Sequence, residues 1–91
     1  MDQNSEKAMF DNADKFIGLA NELTKEQSHG DVGVALRYAA ARYSAFEAAM
    51  RTDNLAGEKD KHIEFFVRTF TEMLQKNFDE YIQFQSESKK G

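Results

Sequence analysis

LRYAAARYSAFEAAM, residues Leu36 to Met50, packs six alanines and two tyrosines into fifteen positions, with Arg42 in its midst. Small side chains of high helix propensity and the lack of any proline make the segment helical. At 100° per residue, Val32, Ala35, Leu36, Ala39, Tyr43, Phe46 and Met50 share one side of that helix. Val34, Tyr38, Ala41, Ala45, Ala48 and Ala49 extend the apolar surface round the cylinder, leaving polar side chains a wedge of Arg37, Ser44, Glu47 and Arg51. A helix this apolar is expected to be covered on most sides, and its alanines let neighbours approach closely. Ala41, Ala45 and Ala48 form the expected small-residue contact face.

The chain breaks on either side of this helix, at SHGD (Ser28 to Asp31) and TDNLAG (Thr52 to Gly57). Gly30 suits a left-handed helix C-cap, Ser28 or Asp31 an N-cap for the second helix, and Asp53 or Asn54 one for the third. The expected helices span about 5–27, 31–52 and 57–86, with a short disordered tail at 87–91. Met9, Ala13, Phe16, Ile17, Ala20 and Leu23 stripe the first. Ile63, Phe66, Val67, Phe70, Leu74, Phe78 and Tyr81 stripe the third, with Met73 and Phe84 along a margin. These spacings of three and four belong to amphipathic helices, both stripes are expected to be core, and no strand-like alternation occurs. The expected fold is all-α: a single domain, a three-helix bundle with the Ala-rich helix central.

Three residues break the pattern. Arg42 lies inside the apolar arc, where a guanidinium needs a carboxylate, backbone carbonyls or an exit to water. Glu6, Asp14 or Asp79 could supply the carboxylate, making Arg42 a registry device between helices whose replacement by Met strands a buried acid. In the alternative, Arg42, Tyr38 and Tyr43 line an inter-helix pocket for an anionic group. Asn77 falls within the stripe of the third helix, where a buried amide specifies register. Phe65 points away from that stripe, either as a lone exposed ring or as a subunit contact.

Composition narrows function by exclusion. A net charge of −4 opposes nucleic-acid binding, and only residues 31–52 are net basic, by one charge. No cysteine is present, so disulfides, zinc fingers and thiol nucleophiles are excluded. The two histidines, His29 and His62, do not reproduce a di-iron pattern. Glycines are too scattered for a phosphate loop, and Ser44 has no evident histidine partner. No metal or cofactor is expected, and enzyme chemistry is not indicated. No apolar run nears the ~18 residues that span a bilayer. MDQNSEKAMF lacks a secretory signal's basic start and apolar middle, and no lysine-rich flank suits a membrane surface. The expected location is cytoplasmic.

FIGLANE (Phe16 to Glu22), ALRYAAARYSAF (Ala35 to Phe46) and FFVRTFTEMLQKNFDEYI (Phe65 to Ile82) together resemble a small bacterial family, domain of unknown function 3144, from about Phe10 to Phe84. The resemblance implies an all-helical, cytosolic bacterial protein and no particular reaction; it adds weight to Asn21, Arg42 and Asn77, which lie in those strings. From the residues themselves, the expected function is a non-enzymatic protein–protein interaction or self-associating module, a homodimer in the simplest case. The alternative is a small anionic-ligand binding module.

Overall fold

The computed structural model describes residues 2–90, Lys90 by its backbone alone. The chain is all-α, with three helices: α1 (Gln3–Leu23), α2 (His29–Ala49) and α3 (Leu55–Lys90). Among the described residues no strand occurs, and no helix is long and apolar enough to cross a membrane.

Each helix start is fixed by a side chain that satisfies an otherwise orphaned backbone N–H. The Asp2 carboxylate accepts from the Ser5 N–H at 2.8 Å, and that bond holds the Asp2 carboxyl below its ordinary pKa. Ser28 Oγ accepts from the Asp31 N–H at 3.1 Å, so α2 begins at His29. Asn54 Oδ1 accepts from the Gly57 N–H at 3.2 Å, and Thr52 Oγ1 accepts from the Asn54 N–H at 3.0 Å.

Several expected boundaries move. α1 stops at Leu23, not near residue 27, and its C-cap is Thr24, whose hydroxyl donates to the Asn21 carbonyl at 2.8 Å. Gly30 is no left-handed cap: it lies in the first turn of α2, and none of the described glycines has positive φ. The third helix begins two residues early at Leu55 and runs to Lys90, so the segment expected to be a disordered tail is helical to that point.

The chain forms two compact units, one ending at Tyr43 and the other starting at Ser44. In the first, Val32 is buried, and Met9, Ala13, Ala20, Thr24 and Gly33 are half-buried. In the second, Ala48 is buried at 3% exposure, with Ser44, Glu47, Thr52, Glu58, His62, Phe66 and Thr69 half-buried. The last turn of α2 is therefore covered on the face holding Ser44, Glu47 and Ala48, while Ala41, Ala45, Phe46 and Met50 stay exposed. Of the expected contact face Ala48 is covered while Ala41 and Ala45 are open, and of the expected solvent wedge Arg37 and Arg51 are exposed while Ser44 and Glu47 are half-buried. A helix that is apolar nearly all round has no favoured face of its own, so its neighbour's shape decides.

Gly57 has a steric role in the α3 cap. A Cβ there would lie 2.5 Å from Asn54 Nδ2 and 2.9 Å from Oδ1, so any side chain at 57 displaces the capping amide. Asn54→Ala should cost about 1 kcal/mol. Gly57→Ala should be close to neutral, because the displaced cap offsets the ~1 kcal/mol that alanine ordinarily gains over glycine within a helix. In the Asn54→Ala background Gly57→Ala should become stabilising. A denaturant-melt double-mutant cycle measures that coupling.

Candidate interaction surface

α3 carries a second, longer pattern within its apolar face. Ile63, Val67, Phe70, Leu74, Asn77, Tyr81 and Phe84 follow one another at alternating intervals of four and three residues. That 3.5-residue period forms the seam along which two helices wind round each other. Every member is exposed, from Leu74 at 43% to Tyr81 at 70%. Of the half-buried residues of α3, Glu58, His62 and Thr69 lie a quarter turn or more round the helix from the seam, and Phe66 lies at its edge. Thr71, beside the seam, donates its hydroxyl to the Val67 carbonyl at 2.6 Å, which leaves its methyl group outermost.

Asn77 is the one amide in the seam. Its Nδ2 donates to the Met73 carbonyl of the preceding turn at 2.8 Å. The expected burial of Asn77 is not found within the single chain, where the residue is exposed.

A separate groove lies in the second unit, lined by Glu47, Ala48 and Arg51 of the α2 end and by His62, Phe65 and Arg68 among the residues of α3. Its volume is about 390 Å³. The Phe65 ring meets Phe66 edge-on at 5.5 Å, and the Arg68 guanidinium stands 5.8 Å from the Phe65 centroid. His62 Nε2 is buried there without a hydrogen-bond partner among the described residues. Arg51 pairs with Glu47 at 3.7 Å, and Lys61 with Glu58 at 3.8 Å. Hydrogen bonding from the Thr52 side chain, helped by the charges of Lys61 and His62, holds the Glu58 carboxyl below its ordinary pKa.

The other residues singled out in the sequence do not converge. Arg42 is exposed and makes no ion pair among the described residues, in place of the expected buried pair. Its arc of α2 is open to water, so the guanidinium meets no desolvation and needs no carboxylate. Tyr38 and Tyr43 are each 66% exposed, and neither they nor Arg42 line the groove. Asn21 is exposed and contributes its backbone carbonyl to the Thr24 cap. Phe65 faces the groove, on the side of α3 opposite the seam. Sequence reading missed the groove because Glu47 and Arg51 were assigned to solvent. The one available signal was the Glu58/His62 pair on adjacent turns of α3.

A family model described as "Protein of unknown function (DUF3144)" matches residues 9–82 of the chain. No curated protein and no solved structure matches.

Three stability and titration outcomes follow. Arg42→Met should change stability by no more than about 0.5 kcal/mol, the range for exposed sites. Ala48→Leu should cost about 1–3 kcal/mol by overpacking, and Ala45→Leu should be neutral. Denaturant melts read all three variants. A carboxyl of depressed pKa contributes stability that is present above its unfolded pKa and lost as pH falls through the folded one. Thr52→Val should therefore raise the Glu58 pKa toward its ordinary value, read by NMR titration of the side-chain carboxyl, and weaken the acid sensitivity of the α3 start.

Proposed function

The chain belongs to the DUF3144 family, and we propose that it works as a non-enzymatic, self-associating helical module whose contact surface is the α3 seam. The observation that carries this reading is the exposure of the seam over its whole length. Apolar side chains at coiled-coil spacing gain little from water and much from a partner helix. Ile63, Val67, Phe70, Leu74, Tyr81 and Phe84, with Met73 and Phe78 beside them, are each about half open or more. At roughly 100 Å² apiece on the scale of large side chains, they present about 800 Å² per copy. That is about what a standard interface takes from each partner, roughly 800 Å².

A seam that repeats its own spacing is complementary to itself, so a second copy is the simplest occupant. Sedimentation equilibrium should show a dimer for the wild-type chain. Leu74→Glu should shift it to monomer with helicity retained, since a charge placed in the seam must otherwise be buried unpaired. A wild-type monomer at every accessible concentration would overturn the proposal.

Anion binding, the alternative reading, has one observation in its favour: His62 Nε2 is buried and unpartnered beside Arg51, Lys61 and Arg68. On this reading the site is the groove and not Arg42. Titration with inorganic phosphate, followed by the His62 ring protons, should give saturable shifts that Arg68→Ala removes. Linear, unsaturated shifts would dismiss it.

A further inference from the structure

We infer that the second copy lies with its α3 parallel to the first and in register, and that the two Asn77 side chains hydrogen-bond to each other and fix this orientation. The inference rests on self-association through the seam, and adds the direction of the partner helix and the residue that sets it.

The argument begins with what each packing mode places opposite Asn77. In a parallel, in-register pair every seam residue faces its own counterpart, so Asn77 faces Asn77. An antiparallel pair runs one series of the seam against the other. The two antiparallel overlaps that keep most of the seam paired set Asn77 against Leu74 or against Val67. A third overlap gives it the Tyr81 hydroxyl, but leaves Ile63, Val67 and Phe70 without seam partners. Only the parallel pair satisfies the amide and keeps the whole seam in contact.

Hydrogen-bond valence makes the difference count. One amide hydrogen of Asn77 is used on the Met73 carbonyl at 2.8 Å. Asn77 Oδ1 makes no bond among the described residues, and the second amide hydrogen is likewise open. Closed over by a leucine or valine, both groups lose water and gain nothing in return. Facing a second Asn77, the carbonyl of one accepts from the amide of the other.

The flanks agree. Across a parallel seam Phe66 adjoins Thr71 of the second copy, Met73 adjoins Phe78, and Glu80 adjoins Gln85. No like charges meet. Met73 and Phe78 are 54% and 60% exposed, so this pairing widens the apolar contact at the height of Asn77. Of the α3 side chains half-buried in the single chain, Glu58, His62 and Thr69 lie a quarter turn or more from the seam and stay clear of a second α3, while Phe66 borders it and is shared between the two contacts.

The chain contains no cysteine, so single introduced thiols report on geometry without interference. Ile63→Cys and Phe84→Cys sit at opposite ends of the seam, about 30 Å apart at 1.5 Å per residue. A disulfide requires α-carbons within about 7 Å. Under mild oxidation of the full-length protein, each variant alone should form covalent dimers, whereas Gln75→Cys, off the seam, should not. Links formed only on mixing Val67→Cys with Phe84→Cys, or Ile63→Cys with Tyr81→Cys, the pairs that face each other in the two antiparallel overlaps, would show antiparallel helices. That result would overturn the inference while leaving self-association intact. A sedimenting dimer with no links in any combination would place the interface elsewhere and overturn it too. A monomer would remove both. Asn77→Leu introduced into both members of these mixed pairs should release the orientation, raising the mixed products from a trace to an amount comparable with the self-linked products. An unchanged pattern would show that Asn77 does not set the direction.

Discussion

The structure depends on the unequal distribution of apolar surface between what is buried and what is left open. Backbone hydrogen bonding is complete along three helices, but helices of this length gain most of their stability from tertiary or quaternary burial of an amphipathic face. Among the described residues only Val32 and Ala48 are buried hydrophobics, while the seam side chains of α3 from Ile63 to Phe84 stay exposed. The single chain thus leaves most of the large apolar side chains of α3 in contact with water.

Helix content and helix starts were legible in the sequence because they follow from local chemistry. The spacing of apolar residues identified three helices, and Ser28 and Asn54 cap the second and third as their side chains suggested. Helix ends were less legible. Gly30 was read as a left-handed cap because glycine favours one, yet Ser28 caps α2 so early that Gly30 is inside it. α1 ends at Leu23 because Thr24 turns its hydroxyl back onto the Asn21 carbonyl, a choice that spacing does not reveal.

Faces were legible only where apolar and polar residues separate. On α3 they do, and the stripe read from spacing contains most of the seam, although it was expected to be core and is mostly exposed. On α2 they do not: Ala48 is covered and Arg37 and Arg51 are open as expected, but Ser44 and Glu47 are half-buried and Ala41 and Ala45 are not. Arg42 drew attention for the same reason. It looked out of place in an apolar arc, but that arc is open to water, where a guanidinium is unremarkable. Asn77 is the more informative anomaly, since it interrupts a surface whose period calls for a partner.

The contact between Gly57 and the Asn54 amide has a consequence for how this chain can vary over generations. The two residues are linked: the amide caps α3 in its present geometry only while no side chain occupies 57, and glycine at 57 costs little only while the amide uses that space. A lineage that loses the amide first passes through a less stable intermediate, while one that changes 57 first, or both, reaches a helix start of similar stability by another route. The amide-first order thus crosses a shallow valley, most readily where a tight oligomer lends the stability that the intermediate lacks.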